Sequence, residues 1–180
     1  MSTFYRSFIA AGFGGQGILS LGQIVAYAAM KEGRFVTWIP SYGPEMRGGT
    51  ANCSVIVSET EIASPVVSRP DVLVIMNQPS LEKFESCLKP GGLLLYNSDL
   101  VRCDNPRSDV KVLAVAANGL AASLGNDKVA NVIVLGALSA HTDLVGEAAC
   151  RVTISDLFGK KKAALVELNL QAFDKGRGLS

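Results

Sequence analysis

The chain has 180 residues, with 17 lysines and arginines against 16 aspartates and glutamates, so its formal net charge is +1. A balanced charge gives no general attraction to nucleic acid or to an acidic membrane surface. The hydrophobic share of 48% excludes a disordered or fibrous chain. At about 150 residues per domain, the length predicts a single domain over residues 1–180.

Charged residues make up only 18% of the chain, against about 25% in a typical globular protein. This low share has two explanations, which the sequence leaves open. Part of the surface is buried between subunits, or the fold contains a parallel sheet that is covered on both faces and therefore has apolar strands.

Cysteine spacing and apolar run length bear on metal binding and on location. The four cysteines are scattered, with no C-x-x-C pair, at Cys53, Cys87, Cys103 and Cys150. This pattern argues against a zinc or iron–sulfur site within the chain and predicts reduced thiols in a cytoplasmic protein. The first residues, MSTFYR, lack the long apolar core and cleavage site that a signal peptide has, so we expect none. The longest apolar stretches, Ile18–Met30 and Val129–Ala140, are too short for a bilayer, which takes about 20 helical residues.

The beginning of the chain has the pattern of a βαβ unit. The apolar run Phe8–Ala11 predicts a strand, and the glycine-rich sequence GFGGQG follows it at once. Apolar residues then recur at helical spacing until Gly33, which ends the predicted helix. Phe35–Ile39 predicts a second buried strand, closed by Pro40.

The rest of the chain predicts further strands and helices. Apolar and polar residues alternate over Thr50–Ser58, which is typical of a half-exposed strand, antiparallel or near a sheet edge. Continuous apolar runs predict two more strands, at Asp71–Met76 and Gly92–Tyr96, and Val110–Ala116 is predicted as another. Helices are predicted from about Pro79 and over Gly119–Leu124, Lys128–Leu144 and Lys161–Phe173. We therefore expect a Rossmann-like α/β fold, with an open, mostly parallel sheet, helices on both faces and a helical C-terminal part.

Gly12, Gly14 and Gly17 form a G-x-G-x-x-G motif between the first strand and the first helix, as in a dinucleotide-binding fingerprint. The N–H groups at such a helix start favour an anion. An NAD site also needs an acid at the end of the second strand, where this chain has no acid before Glu45. A Walker loop needs lysine and serine or threonine after the last glycine, where this chain has I-L. The motif indicates another phosphate ligand or a structural turn, and an NAD- or flavin-binding oxidoreductase stays an alternative.

The segment SYGPEMRGGT follows the second predicted strand. It should lie at the same carboxyl edge of the sheet as the glycine motif, where open α/β sheets bind ligands. In a functional interpretation, Arg47 pairs with an anion or with a carboxylate of a partner, and Glu45 orients the Arg47 side chain. The alternative is a surface loop with an ordinary ion pair.

Other polar residues are weaker candidates. Asn77 and Asn97 end two strands at the ligand edge, either as hydrogen-bonding groups or as turn residues. The single histidine, His141, falls within a predicted helix, and no G-x-S-x-G elbow is present. A hydrolase triad is therefore poorly supported.

Together, the segments GFGGQG and SYGPEMRGGTANCSV resemble the gamma subunit of 2-oxoacid:ferredoxin oxidoreductases. DVLVIMNQPSLEKF and NVIVLGALSA are similar to the same family, so the resemblance covers residues 5–176. The form GPEMRGGTAN resembles 2-oxoglutarate or branched-chain members more than pyruvate members.

The resemblance implies a complex that decarboxylates a 2-oxoacid, transfers the acyl group to coenzyme A and passes electrons to ferredoxin. It implies that thiamine diphosphate, Mg²⁺ and iron–sulfur clusters belong to alpha, beta and ferredoxin-like delta subunits. This chain would pack against the thiamine-binding subunits and help to hold coenzyme A, with no catalytic residue of its own. The isolated chain is expected to be inactive and able to form a homodimer through surfaces that the complex buries.

The resemblance also implies two groups of coenzyme-binding residues. Gly12, Gly14, Gly15, Gln16 and Gly17 would form one wall, and Ser41, Tyr42, Gly43, Glu45, Arg47, Gly48 and Gly49 would form a facing loop. Coenzyme A carries a 3′-phosphate and a pyrophosphate, which suit helix N–H groups and an arginine. Which group contacts the coenzyme stays open, and a purely structural scaffold subunit is the further alternative.

Overall fold

The computed structural model describes residues 3–41, 50–159 and 163–179, and this part of the chain forms one six-stranded sheet flanked by helices. The strands are β1 (Tyr5–Phe13), β2 (Phe35–Ser41), β3 (Thr50–Ser58), β4 (Val72–Ile75), β5 (Leu93–Asn97) and β6 (Lys111–Val115). The α-helices are α1 (Ile18–Lys31), α2 (Gln78–Phe84), α3 (Ala117–Ser123), α4 (Ala130–His141), α5 (Glu147–Gly159) and α6 (Ala163–Arg177). No helix in the described ranges is long and apolar enough to cross a membrane.

The strand order is β2-β3-β1-β4-β5-β6. The strands β1, β4, β5 and β6 pair in parallel, whereas β3 is antiparallel to both of its neighbours. Because β3 runs against both β1 and β2, the strands β1 and β2 run in the same direction. The predicted mostly parallel sheet is confirmed.

The structure corrects two predictions about the first half of the sheet. The strand β2 was expected to be buried, but it is the sheet edge, and Phe35 and Ile39 are 47% and 40% exposed. The antiparallel direction of β3 is confirmed, yet β3 separates β1 from β2 and its Ser58 is buried. Burial alternates as predicted from Thr50 to Val55, and the strand is buried on both faces only over its last residues.

Helices cover both faces of the sheet, as predicted. One face carries the main core, to which Phe8 and Ala10 of β1 contribute together with α1, α3, α4, α5 and α6. The other face carries a smaller core with Ile9 and Ala11 of β1 and with α2. The helix α5 was not predicted, because its buried residues are few and its apolar pattern is weak.

The central helix α4 is buried over Ala130–Ser139 and crosses α6 at very short range. A Cβ atom on Gly136 would overlap the carbonyl oxygen of Phe173, and one on Gly176 would overlap the carbonyl oxygen of Ile133. Two glycines thus allow the backbones of the two helices to touch. This crossing holds α4 in position, and the first residues of α4 contact the glycine motif.

Candidate functional site

The glycine motif forms a tight turn between β1 and α1. Gly15 and Gly17 have φ values of +95° and +74°, which lie in the left-handed region that favours glycine. The first helical hydrogen bond of α1 runs from the Leu21 N–H to the Gly17 carbonyl oxygen at 2.9 Å. The N–H groups of residues 18–20 precede that bond and have no partner within the helix. Together with the helix dipole, they can bind an anion.

Gln16 holds the turn against the neighbouring strand. Its Oε1 accepts the Phe13 N–H at 2.6 Å, and its Nε2 donates to the Met76 carbonyl oxygen at 2.9 Å. A Cβ atom on Gly12 would lie 2.5 Å from that Oε1 and 2.9 Å from the Met76 Cβ. Gly12 and Gln16 therefore shape the turn, and Gln16 also lines a cleft beside it.

Asn131, near the start of α4, holds the turn from another side. Its Nδ2 donates to the Gly17 carbonyl oxygen at 3.1 Å, and a Cβ atom on Gly17 would overlap the same amide group. The sequence analysis missed this residue. The available signal was a lone asparagine at the start of a helix that is otherwise apolar on all sides.

Two clefts flank the turn, and Gly15 lines both. The first cleft, of about 320 Å³, lies between the turn, the first residues of α1 and Ala51 of β3. Its described lining contains no carboxylate and includes Gly14, Gly17 and the exposed Ser20. The second cleft, of about 230 Å³, lies on the β4 side, next to Met76 and the start of α4.

The second predicted segment leaves the sheet beside the turn. Ser41 ends β2 opposite Asn52, and Thr50 begins β3 opposite Phe13, the last residue of β1. The prediction that β1 and β2 end at the same edge is thereby confirmed. The other predicted residues of this segment lie outside the described residues, namely Tyr42, Gly43, Glu45, Arg47, Gly48 and Gly49.

Asn77 and Asn97 act as turn residues at the ends of β4 and β5. The Asn77 Oδ1 caps α2 by accepting the Ser80 N–H at 2.9 Å. The Asn97 Nδ2 donates to the Asn118 Oδ1 at 2.7 Å. The Asn97 Oδ1 also accepts the Asp99 N–H at 3.3 Å, so both buried side chains hold the backbone just after their strands.

The histidine and the two buried cysteines, residue types that often take part in catalysis, are placed or protonated in ways that do not suit a catalytic role at the turn. His141 ends α4, with its Nε2 2.8 Å from the Leu179 carbonyl oxygen. Burial raises the pKa of the Cys53 thiol to about 11 and that of Cys150 to about 12. Both are therefore neutral thiols at pH 7. In residues 3–41, 50–159 and 163–179, no three His, Cys, Asp or Glu side chains are grouped to hold a metal ion.

The sheet order also bears on the dinucleotide alternative. In an NAD site the ribose-binding acid follows the strand next to the first strand. Here the strand between β1 and β2 is the antiparallel β3, which begins with Thr50 and Ala51 at the carboxyl edge of β1. The described end of β2 is Pro40 and Ser41, again without an acid. The geometry does not favour a nicotinamide site.

The fold and the turn define a Rossmann-like domain with a glycine turn at the carboxyl edge of its sheet. Residues 7–179 match the sequence family described as pyruvate ferredoxin/flavodoxin oxidoreductase. The chain belongs to this family, and the resemblance predicted from its motifs is confirmed.

Two curated relatives differ in how much of their length the chain covers. The ketoisovalerate oxidoreductase subunit VorA of Methanothermobacter thermautotrophicus is 41% identical over 92% of this chain and 34% of VorA. The chain thus spans about a third of that relative. The 2-oxoglutarate synthase subunit KorC of Methanocaldococcus jannaschii is 36% identical over 92% of this chain and 89% of KorC.

Solved structures also include one match to a whole chain and one match to part of a longer chain. The gamma subunit of a keto/oxoacid ferredoxin oxidoreductase from Geobacter sulfurreducens is 34% identical, covers 95% of both chains and has a TM-score of 0.80. The 2-oxoglutarate:ferredoxin oxidoreductase from Magnetococcus marinus, solved with 2-oxoglutarate, coenzyme A and succinyl-CoA bound, is 28% identical. The match covers 98% of this chain and 31% of that one, with a TM-score of 0.90.

Proposed function

We propose that the chain is the gamma subunit of a multi-subunit 2-oxoacid:ferredoxin oxidoreductase, with residues 1–180 acting as one domain. The observation that carries this proposal is the match to the Geobacter sulfurreducens gamma subunit over 95% of both chains. In the Magnetococcus marinus enzyme the matching region is 31% of a longer chain. We infer that alpha- and beta-type partners complete the enzyme, and that a ferredoxin-like delta subunit passes electrons to ferredoxin in the cytoplasm.

The reaction would be the oxidative decarboxylation of a 2-oxoacid with transfer of the acyl group to coenzyme A. Relatives are named for ketoisovalerate and for 2-oxoglutarate, which supports a branched-chain 2-oxoacid or 2-oxoglutarate as the substrate. Thiamine diphosphate, Mg²⁺ and iron–sulfur clusters would belong to the partner subunits. The part of this chain would be assembly and coenzyme A binding, without a catalytic residue.

The residues around the turn fit coenzyme A. The coenzyme supplies the thiol that accepts the acyl group, and its phosphates need N–H groups and cations. Gly14, Gly15 and Gly17 would form the wall of the first cleft, while Gly12 and Gln16 keep its shape. The second segment would face this wall with Ser41, Tyr42, Gly43, Glu45, Arg47, Gly48 and Gly49.

Affinity purification of the tagged chain from its own cells, grown without oxygen, tests the proposed complex. The eluate is assayed for coenzyme A-dependent viologen reduction with 2-oxoglutarate, pyruvate and branched-chain 2-oxoacids. We expect larger co-purifying subunits and activity that is highest with one of the 2-oxoacids. The separated chain should be inactive even with thiamine diphosphate, Mg²⁺ and coenzyme A. Robust activity of the chain alone would overturn the assignment.

The variant Arg47→Ala tests the coenzyme role of the second segment. A charge-assisted hydrogen bond to a phosphate is worth about 1.5–3 kcal/mol, so the KM for coenzyme A should rise about tenfold or more. Arg69→Ala is the matched control, because Arg69 precedes β4 at the opposite edge of the sheet. An unchanged KM in an intact Arg47→Ala complex would contradict the role, and loss of the complex would show that the segment is chiefly an interface.

A further inference from the structure

The outer edge of β2 carries unpaired backbone groups. The Asp71 N–H donates to the Ser7 carbonyl oxygen, so the odd-numbered residues of β1 hydrogen-bond to β4 and the even-numbered ones to β3. Through the registers of β1 with β3 and of β3 with β2, the odd-numbered residues of β2 bond to β3. The N–H and C=O groups of Val36 and Trp38 therefore point outward. Pro40 points outward too, which costs β2 no hydrogen bond to β3.

This edge lacks the features that usually keep a sheet edge from pairing. The strand β2 has seven residues and no charged side chain. At the other edge of the sheet, β6 has five residues and begins with the exposed Lys111. Short strands and lysines are common protections of an edge. Glu32 and Arg34, just before β2, pair with each other at 3.7 Å, so they do not repel a further strand.

Apolar side chains lie on both faces of β2. Phe35 and Ile39 are exposed on the α2 face of the sheet, because α2 packs against β1 and β4. Tyr5 lies in the same cross-strand row as Phe35 and is 43% exposed. On the α1 face, Val36 and Trp38 pack at the margin of the main core and are half-buried. A strand added to β2 would cover apolar side chains on both faces.

A second copy of the chain supplies a strand with the required properties. Its β2 has the same unpaired groups and the same lack of charge, and a two-fold axis pairs the two strands antiparallel and closes the assembly at two copies. Pairing of β2 with β6 would instead be head-to-tail and open-ended. An axis at Thr37 sets Phe35 opposite Ile39 of the second copy. Val36 and Trp38 then also lie opposite each other and exchange hydrogen bonds.

We propose that two copies of this chain form a homodimer through β2, which joins their two six-stranded sheets into one continuous sheet. The inference goes beyond the proposed function and does not depend on it. It identifies the surface of the homodimer that the sequence analysis left unspecified. The two glycine turns would lie at opposite ends of the joined sheet, because the paired β2 strands run in opposite directions.

Sedimentation velocity of the purified chain tests the homodimer. At about 10 µM, a dimer with a micromolar Kd is mostly formed, and we expect a species of twice the chain mass of 18.9 kDa. Ile39→Lys should raise the Kd at least about tenfold, because the pairing would bury an ammonium against Phe35 of the second copy. Val112→Lys is the matched control and should leave the Kd unchanged. Val112 lies in the same cross-strand row as Ile39, at the opposite edge of the sheet, and both are 40% exposed.

A double variant, Phe35→Cys with Ile39→Cys, tests the register. The two positions would face each other as a non-hydrogen-bonded pair with a Cα distance of about 4.5 Å, which a disulfide can bridge. Mild oxidation should therefore give a covalent dimer on a non-reducing gel. Phe35→Cys alone is the control. Its two copies would lie four positions apart, about 13 Å, and should not cross-link.

Three results would overturn the proposal. The first is a wild-type chain that stays monomeric at about 100 µM. The second is a dimer whose Kd Ile39→Lys leaves unchanged, since the copies would then meet through another surface. The third is a monomeric chain whose Ile39→Lys variant no longer co-purifies with larger subunits, which would show that the edge binds a partner subunit.

Discussion

The side-chain amide of Asn131 donates a hydrogen bond of 3.1 Å to the carbonyl oxygen of Gly17, across 114 positions of sequence. The bond joins the start of α4 to the residue that precedes α1. Gln16 joins the same turn to Met76 at the end of β4. The backbone N–H groups at the turn are therefore held in place before any ligand binds, which lowers the entropy cost of binding.

Gly17→Ala should destabilise the protein for two additive reasons. The φ of +74° costs a residue with a Cβ about 1–2 kcal/mol, and the overlap with Asn131 adds about 1–3 kcal/mol. Gly33→Ala is the matched control, because Gly33 has a φ of +76° and no atom within 4 Å of its Cβ position. Urea denaturation should show a larger loss for Gly17→Ala than for Gly33→Ala. Equal losses would mean that the contact with Asn131 yields at no cost.

Gly136→Ala should lower the free energy of unfolding by at least about 2–3 kcal/mol, because α4 and α6 must move apart. Alanine is otherwise the better helix former by about 1 kcal/mol. Gly119→Ala in α3 tests this expectation, since its Cβ would meet only the Asp99 carboxylate at 3.7–3.8 Å. Thermal unfolding should therefore shift downward for Gly136→Ala and slightly upward for Gly119→Ala. A stabilised Gly136→Ala would contradict the close crossing.

Asp71 should make stability depend on pH. Burial alone would raise the pKa of Asp71, but hydrogen bonds from Lys89 and from the N–H and hydroxyl of Ser7 outweigh it, so the pKa lies below its ordinary value. A lowered pKa stabilises the fold above the unfolded value of about 3.9, and this contribution disappears as the pH falls through the folded pKa. Asp71→Asn should therefore lose about 1–2 kcal/mol at pH 7, allowing for solvent screening of Lys89.

Urea denaturation between pH 7 and pH 3 measures this contribution. The difference between wild type and Asp71→Asn should stay constant down to about pH 5 and then shrink below about pH 4. Asp156→Asn is the control, because Asp156 is 60% exposed in a surface pair with Lys31 and should change stability by less than about 0.5 kcal/mol at any pH. A pH-independent difference would show that Asp71 acts through packing alone.

The four thiols should differ in reactivity. At pH 8, a pKa of about 11 leaves about one Cys53 thiol in a thousand ionised, and Cys150 fewer still. Cys87 and Cys103 are less buried, although burial raises their pKa values too. Iodoacetamide should therefore label Cys87 and Cys103 first, at rates that rise with pH, as followed by mass spectrometry. Labelling of Cys53 at the same rate in the native protein would indicate that the core opens.

Much of the turn and of the sheet could be predicted from the sequence. The run Phe8–Ala11, the glycine motif after it and the stop at Gly33 predict β1, the turn and α1 correctly, because the costs of backbone conformation are local. The runs of β4, β5 and β6 likewise predict parallel strands, although the described residues between β5 and β6 form no helix. The family could be recognised because its motifs are contiguous segments.

The strand order could not be predicted. The run Phe35–Ile39 is as apolar as a central strand, yet it is the edge, and β3 occupies the position between β1 and β2. Side-chain alternation tells which face of a strand is polar, but it does not tell which strand lies beside it. The pairing depends on contacts between distant segments.

The same holds for the site. Gly17 could be identified from the spacing of the motif and Gly15 from the family resemblance, and both have φ values that glycine adopts without strain. Asn131, Asp127 and Lys128 come to the turn only because α4 is buried in the core and crosses α6 at two glycines. A local motif therefore predicts the backbone of a binding turn, whereas the side chains that surround it are brought there by tertiary packing between residues far apart in the chain.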